Sequence, residues 1–265
     1  MHPSLLPIAL YALAASAAPA PAPAPYPLHR RDQNSSANNQ ALISALELAP
    51  TAKDRLALLT PSDFLYDFAS PPPGDAITTG LGGRTVKADS KLFPALIGTG
   101  VSMTLGFIGP CGFNTPHVHP RSSQINVVVE GQLKTQFIAE NGVDAVENTL
   151  GKWQMTVFPQ GAVHTEWNPT CDPAVFVAGF ASEDPGVQQS TQTLFKLDDD
   201  VVRAELGVET LNGESIEQFR DQLPENVALF VEECLARCDI EADPAPNQGG
   251  PSEGGPWSAP SSALA

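Results

Sequence analysis

Three histidines in two short segments are the residues of this chain whose types and spacing are best suited to chemistry. His117 and His119 form an H-x-H pair, and His164 follows in a later segment. Alternate residues of a β-strand point to the same face, so His117 and His119 can converge on one ion. Imidazole is the commonest metal ligand in proteins, and the two other histidines, His2 and His29, lie in an N-terminal leader. The sequence therefore predicts that His117, His119 and His164 bind one divalent metal ion.

The spacing of residues around these histidines forms two motifs. The pattern H-x-H, four residues, Glu, six residues, Gly is matched in spacing, with glutamine in place of glutamate, by His117, His119, Gln124 and Gly131. The pattern P-x-G-x-x-H-x-x-x-N is matched at every fixed position by Pro159, Gly161, His164 and Asn168. These motifs and the segment at 82–103 resemble those of the cupins, and within them the secreted germin-like and spherulin-like proteins. The resemblance covers roughly residues 55–240.

The resemblance implies one bound divalent metal, which is Mn²⁺ in the family, and it makes position 124 the place of a metal-binding glutamate. Gln124 offers a neutral carbonyl oxygen instead, so the affinity for a hard ion such as Mn²⁺ is expected to fall. Imidazole-rich sites suit Cu, Zn, Ni or Fe comparatively well, and any of these is an alternative to Mn. Two interpretations of Gln124 are open: it is a metal ligand, or it is a polar residue that lines the barrel beside the ligands.

Other residues near the motifs are candidates for contact with a small ligand. Asn126 alternates with Gln124 and shares its inward face, so it either orients a ligand or water or is a satisfied buried polar group. Asn114 matches an asparagine that germins carry beside the cavity. Glu130 and Glu166 are predicted to be solvated, although Glu166 is the one candidate for an anionic fourth ligand. Candidates for the wall of the cavity, or for ordinary core, are Phe113, Met155, Phe158 and Trp167.

Two classes of function follow from the resemblance. The first is a metal-dependent oxidoreductase that acts on a small carboxylate or a reactive oxygen species, of the oxalate oxidase or superoxide dismutase type. The second is a non-catalytic extracellular, cell-wall or spore-associated protein in which the metal is structural or sequestered. Gln124 removes a charge from the site, which favours the second class or a different metal. The resemblance also implies a small-molecule ligand and a homo-oligomer that forms through barrel edges and C-terminal helices.

Short runs rich in Val, Ile, Thr and Phe, separated by Gly-containing turns, fill residues 85–182. This pattern is typical of an all-β sandwich or barrel. The resemblance makes the fold a cupin β-barrel, a jelly roll of two facing sheets at about 85–185, with an N-terminal arm and C-terminal α-helices at about 197–238. Helical periodicity over 38–59 fits the arm. The C-terminal helices are predicted at 197–207, with an acidic N-terminal cap at 198–200, and at 215–223 and 224–238.

The chain has four cysteines, Cys111, Cys171, Cys234 and Cys238. An even number in a secreted chain favours disulfides, and four cysteines allow three connectivities. Cys111 precedes the first histidine motif and Cys171 follows the second, so a shared metal ion would bring these two together. We therefore predict the pairs Cys111–Cys171 and Cys234–Cys238, which requires the last helix to end near Arg237. Thiolate ligation of a metal is the alternative.

The N-terminal region has the features of a secreted precursor. Residues 5–18 are apolar, short and followed by small residues, which is typical of a signal peptide rather than a membrane span. The predicted division is a signal peptide at 1–18, a Pro-rich propeptide or linker and N-terminal arm at 19–54, the germin-like cupin domain at 55–240 and a disordered tail at 241–265. Asn34 begins an N-glycosylation sequon, as expected for an extracellular or cell-wall glycoprotein.

The chain is strongly acidic, with a formal net charge of −16 at pH 7. Nucleic acids and anionic membrane surfaces repel such a protein, so neither is expected to be a partner.

Overall fold

The computed structural model describes residues 36–241, which form two antiparallel β-sheets with helices before and after them. The predicted signal peptide, the Pro-rich segment, the Asn34 sequon and the tail beyond 241 lie outside the described residues. The strands are β1 (Ile77–Gly80), β2 (Gly83–Ala88), β3 (Ser102–Ile108), β4 (Gly112–Val118), β5 (Gln124–Glu130), β6 (Gln132–Ile138), β7 (Val146–Gly151), β8 (Met155–Phe158), β9 (Val163–Trp167), β10 (Ala174–Phe180), β11 (Gln188–Gln189) and β12 (Ala228–Leu229). The helices are α1 (Ser36–Leu48), α2 (Ala52–Ala57), α3 (Ser190–Leu194), α4 (Asp199–Leu206), α5 (Ile216–Arg220) and α6 (Glu232–Arg237), with 3-10 turns at Pro61–Phe64 and Pro94–Leu96.

The two sheets divide the strands in a way that requires the chain to cross repeatedly between them. The first sheet has the order β1-β2-β3-β10-β5-β8, and the second has the order β11-β4-β9-β6-β7, with β12 also pairing with β4. Their inner faces meet in a buried core that combines Ile108 and Phe176 from the first sheet with Leu133 and Leu150 from the second. The predicted all-β fold of two facing sheets, with an N-terminal arm and C-terminal helices, is confirmed. The domain boundaries stay a prediction.

Gly131 carries the chain from the first sheet to the second. Its φ of 69° lies in the left-handed region that glycine tolerates best. A Cβ atom at this position would lie 2.4 Å from the carbonyl oxygen of Pro173, which is closer than a non-bonded contact allows. The glycine of the first motif is therefore required by the backbone, because it joins the strand of Gln124 to the sheet that carries the histidines.

The C-terminal helices differ in part from the sequence prediction. Asp198 caps α4 as expected, because its side chain accepts a hydrogen bond from the backbone N–H of Asp200. The helix predicted over 224–238 is wrong in its first half: Ala228 and Leu229 form β12, which pairs with β4, and α6 begins at Glu232. Pairing with a strand edge satisfies the backbone groups that a helix would otherwise have bonded internally. Within the described part of the chain, no helix combines the length and apolar character needed to cross a membrane.

The disulfides connect α6 to the barrel. Cys111 pairs with Cys234 and Cys171 pairs with Cys238, at Cα separations of 5.8 and 5.2 Å. The predicted pairs, Cys111–Cys171 and Cys234–Cys238, are therefore wrong. Although α6 ends at Arg237, as the predicted Cys234–Cys238 bond required, Cys234 within the helix and Cys238 at its C-terminal cap each lie against a different segment of the barrel and pair there. Because every cysteine is oxidised, none serves as a thiolate ligand.

Candidate metal centre

The three histidines converge in the interior of the barrel. His117 on β4 and His164 on β9 are direct register partners, and His119 lies just beyond the end of β4. The ring centroids of His117 and His164 lie 4.2 Å apart, and that of His119 lies 5.1 and 5.3 Å from them. One ring nitrogen from each residue lies within 4.8 Å of the others, and all three residues are buried. The structure thus assembles the trio that the sequence singled out.

Backbone carbonyls determine which nitrogen of each ring faces the centre. The Nδ1 atom of His117 lies 2.8 Å from the carbonyl oxygen of Thr115, and that of His164 lies 2.9 Å from the carbonyl oxygen of Ala162. The Nδ1 atom of His119 faces the carbonyl oxygen of Gly186 in the same way. A carbonyl oxygen only accepts, so each Nδ1 donates and each neutral ring keeps its lone pair on Nε2. This is how metal-binding histidines are held in protein sites.

Burial keeps two of these rings uncharged at neutral pH. Burial lowers the pKa of His117 well below its ordinary value of 6.5, and the neighbouring His164 and His119 lower it further. Burial also lowers the pKa of His119, to about 4, against the opposing effect of its hydrogen bond to Gly186. Protons therefore compete with a metal for these nitrogens only in acid.

We expect the metal-free protein to lose stability as the pH falls from 6.5 towards 4. In the unfolded chain His119 takes up a proton near pH 6.5, whereas in the folded protein it does so near pH 4. The unfolded state therefore binds more protons across this window, and the free energy of unfolding falls as the pH decreases. The difference at His119 alone corresponds to about 3 kcal/mol. Urea denaturation of metal-free protein at pH 7 and pH 4.5 measures the loss.

The variant His119→Gln serves as the control for this effect, since it removes one of the three buried imidazoles and leaves the carboxylates unchanged. Its stability should depend less steeply on pH between 6.5 and 4 than that of the parent. Equal slopes for the two proteins would show that His119 does not cause the loss.

Gln124 completes the site from the opposite sheet. Its Oε1 atom lies 3.2 Å from the Nε2 atom of His164, and its Nε2 atom donates to Glu166 at 3.2 Å. In a neutral His164 whose Nδ1 carries the proton, both Nε2 and the facing Oε1 are acceptors. Two buried hydrogen-bond acceptors that face each other repel electrostatically unless a cation binds between them. The donor set of three Nε2 lone pairs and one amide oxygen therefore fits a metal ion.

Glu166 is the feature of the site that sequence analysis described wrongly. It was predicted to be solvated, yet its side chain is fully buried. Its Oε1 atom accepts from Gln124 and from Asn126, at 3.2 and 2.9 Å, and its Oε2 atom accepts from Asn114 at 2.9 Å. The signal was present in the sequence: Glu166 lies two residues after His164 on one strand, so both point inward. Its carboxylate does not belong to the cluster of potential ligand atoms.

Aromatic rings enclose the histidines on one side. Phe158 stacks on His164 with ring centroids 4.3 Å apart, as a wall residue should. Phe180, which sequence analysis missed, packs edge-on against His119 at 4.6 Å. Three other candidates are not wall residues of the site: Met155 is 59% exposed, while Phe113 and Trp167 pack on Phe230 of the C-terminal segment.

Comparison with known proteins places this architecture in a family. The sequence model described as Cupin matches residues 67–212. The chain belongs to the cupin family. This cupin is 42% identical over 204 residues to Spherulin-1A of Physarum polycephalum, a match that covers 77% of this chain and 81% of that protein. It is 36% identical over 153 residues to a probable germin-like protein, subfamily 2 member 5, of Arabidopsis thaliana, covering 57% and 70% of the two chains.

A solved structure agrees with this placement at the level of the fold. Oxalate decarboxylase from Bacillus subtilis at pH 4.6 aligns with a TM-score of 0.50 and 21% identity, over 58% of this cupin and 38% of that chain. The sequence relatives confirm a germin-like and spherulin-like cupin, and the solved structure supports the sandwich of two facing sheets.

Proposed function

We propose that this cupin binds one divalent transition metal through the Nε2 atoms of His117, His119 and His164 and the Oε1 atom of Gln124. The observation that carries the proposal is the convergence of three buried imidazoles whose Nδ1 atoms are all occupied by backbone carbonyls. Three imidazoles and one amide leave coordination positions open, as in catalytic rather than purely structural sites.

The identity of the metal follows from the charge of the ligands. All four proposed donors are neutral, and the nearest carboxylate, Glu166, bonds to the amide of Gln124. Mn²⁺ is the metal that the family implies, and a neutral set of nitrogens binds it less tightly than a set with a carboxylate. Cu, Zn, Ni or Fe suit imidazole nitrogens better. We propose one ion per chain, and elemental analysis of protein purified from its native source identifies it.

We further propose that the centre acts as a metal-dependent oxidoreductase on a small carboxylate or a reactive oxygen species, of the oxalate oxidase or superoxide dismutase type. The bound ion supplies a positive charge and open positions for an anionic or dioxygen-derived ligand. The chain's own residues hold and enclose that ligand: Phe158 and Phe180 limit the access of water, and the Oδ1 atom of Asn126 is buried without a hydrogen-bond partner among the described residues. Such an acceptor suits a ligand or water that donates a proton.

A second candidate function is that of a non-catalytic extracellular, cell-wall or spore-associated protein with a structural or sequestered metal. Two observations favour it: Gln124 stands where the family has a charged ligand, and the 42% identity to Spherulin-1A exceeds the 36% identity to the germin-like protein. A neutral ligand at this place leaves the reduction potential of a bound ion less well adapted to oxidation chemistry.

One set of measurements separates the two candidates. Native protein is first analysed for metal content, and its oxygen consumption with oxalate and its removal of superoxide are then measured beside the His164→Ala variant. Activity that follows metal occupancy and is lost in the variant supports the oxidoreductase. Full occupancy without either activity supports the second candidate, and protein purified natively without a transition metal contradicts both.

We propose that the protein is secreted. Two disulfides require an oxidising compartment to form and persist, and the apolar leader and the Asn34 sequon fit passage through the secretory pathway. The proposed domain division, with a cupin domain at 55–240 between a leader and a tail, agrees with this route. N-terminal sequencing of secreted protein and its mobility after glycosidase treatment test the cleavage and the modification of Asn34.

We expect the protein to form at least a dimer. The first sheet carries a row of exposed apolar side chains, which are Met103, Ile125 and Val157, at 41%, 48% and 53% exposure. Gly179 on β10 pairs with both Met103 and Ile125, and Ile125 pairs with Val157, so the three lie side by side across neighbouring strands. An exposed apolar row on a sheet is typical of a surface that another protein covers. Light scattering at micromolar concentration in physiological salt should give at least twice the monomer mass.

The variant Ile125→Asp should shift this assembly towards monomer, because it places a charge in the middle of the apolar row. The matched control is Val143→Asp, since Val143 is similarly exposed at 46% but lies in the loop between β6 and β7. A parent protein that is monomeric under these conditions would show the prediction to be wrong.

A further inference from the structure

We propose that Glu166 is a positioning residue of the metal centre: it turns the amide oxygen of Gln124 towards the ion and provides the buried negative charge that the four neutral donors lack. This inference rests on the proposed metal site, and it assigns a role to a carboxylate that does not itself bind the metal.

Glu166 fixes the orientation of the side-chain amide of Gln124. A glutamine amide has an oxygen and an NH₂ group of nearly equal size, so only its neighbours decide which of them faces the histidines. An ionised carboxylate accepts hydrogen bonds and donates none. Glu166 therefore holds the Nε2 atom of Gln124, at 3.2 Å, and leaves the Oε1 atom facing the Nε2 atom of His164. With an apolar residue at 166, either face of the amide could turn towards the ion.

Two asparagines hold the carboxylate in place. Asn126 donates to its Oε1 atom and Asn114 to its Oε2 atom, each at 2.9 Å. The Oδ1 atom of Asn114 accepts from Asn226 at 2.7 Å, and the Oδ1 atom of Asn226 accepts from the backbone N–H of Thr115 at 2.8 Å. Within residues 36–241, every hydrogen bond to this carboxylate comes from an amide N–H donor, so both of its oxygens act as acceptors.

In the part of the chain that the structure describes, the buried carboxylate of Glu166 also has no positively charged side chain to offset its charge. Glu166 is fully buried, and none of the lysines and arginines in residues 36–241 forms a salt bridge with it. A buried charge is costly unless a charge of opposite sign lies nearby. A divalent ion held by His164 and Gln124 would lie on the far side of the Gln124 amide from Glu166. The carboxylate and the ion would then stabilise each other through that amide.

The same carboxylate also orients Asn126. Because the Nδ2 atom of Asn126 is engaged by Glu166, its buried Oδ1 atom is the free acceptor, and it has no partner within the described residues. Glu166 therefore orients two acceptors, the Oε1 atom of Gln124 for the ion and the Oδ1 atom of Asn126 for a ligand or water.

The test compares Glu166→Gln with the exchanged pair Gln124→Glu/Glu166→Gln, using Mn²⁺ and Zn²⁺ as probes in competition with a chelator. The single variant removes the charge and allows the Gln124 amide to turn, so affinity for both ions should fall about 10- to 100-fold, as for other partners of metal ligands. The exchanged pair keeps one carboxylate and one amide in contact and should recover at least the affinity of the parent. The control Glu147→Gln makes the same change on an exposed strand and should bind as the parent does.

A measurement on the metal-free protein tests whether Glu166 orients the Gln124 amide, separately from the effect of its charge on a bound ion. The side-chain amide of Gln124 is followed by NMR in the metal-free protein, where a fixed hydrogen bond to Glu166 shifts the signal of its NH₂ group (two protons on one nitrogen) away from that of an exposed glutamine. In Glu166→Gln this signal should move towards that of an exposed glutamine. In Glu147→Gln it should stay unchanged.

The outcomes separate this inference from the proposed function. A parent protein that binds neither ion contradicts the metal site itself. A parent that binds and a Glu166→Gln variant that binds equally well contradict only the role of Glu166. If the single variant does not fold, the exchanged pair decides: recovered binding supports the proposal, whereas a pair that does not fold or binds no metal overturns it.

Discussion

Replacing His164 with alanine is expected to lower metal occupancy at least tenfold. His164 is the central residue of the proposed site: it is the register partner of His117, its Nε2 atom faces Gln124 at 3.2 Å, and its ring stacks on Phe158. The variant removes one of three imidazoles and leaves the amide oxygen of Gln124 without its neighbour. Loss of a direct ligand should cost at least as much affinity as loss of a hydrogen-bonding partner of a ligand, which is 10- to 100-fold. Elemental analysis after dialysis against a weak chelator measures the change.

The control for this variant is Gln136→Ala. Gln136 lies on β6 opposite Thr165, next to His164 in the register, and its side chain bonds to Glu147 at an exposed position. Circular dichroism verifies that both variants keep the barrel. Occupancy in a folded His164→Ala protein equal to that of Gln136→Ala would show that the three histidines are not the site.

Removal of either disulfide is expected to lower the free energy of unfolding by about 2–4 kcal/mol. The bonds join residues separated by 123 and 67 positions in the sequence, so each closes a long loop in the unfolded chain. The double variants Cys111→Ser/Cys234→Ser and Cys171→Ser/Cys238→Ser should both unfold at lower urea concentration. Each deletes one bond without leaving a free thiol to exchange with the other bond.

Peptide mapping without reduction tests the connectivity directly. Cleavage after Arg237 separates Cys234 from Cys238, and several lysines and arginines, including Lys134 and Lys152, separate Cys111 from Cys171. The expected linked peptides contain Cys111 with Cys234 and Cys171 with Cys238. A peptide that links Cys111 to Cys171 would show that the connectivity in the structure is wrong.

The sequence by itself was sufficient for the family, the two facing sheets and the three histidines. His117 and His119 share a strand face because side chains alternate along a strand, and His164 belongs to a motif whose spacing is kept in full. The same alternation placed Gln124 and Asn126 together on the inward face. Such features are local, because each depends on residues that are close together in the sequence. Alternation along a strand and the fixed spacing of a motif are therefore enough to predict them.

Only the tertiary structure decided what depends on residues far apart in the chain. Alternation along β9 turns Glu166 inward beside His164, but the three amides that satisfy its buried carboxylate lie on other segments, so β9 alone does not show that the acid can be buried. Cys234 in α6 and Cys238 at its C-terminal cap pair with the barrel because the helix packs there, which the short spacing between the two cysteines does not reveal. Ala228 and Leu229 form a strand because β4 offers an edge, although their own sequence favours a helix. In each case a contact across the fold outweighs the local preference, since most buried polar groups and backbone groups in a folded protein are hydrogen-bonded to partners that lie far away in the sequence.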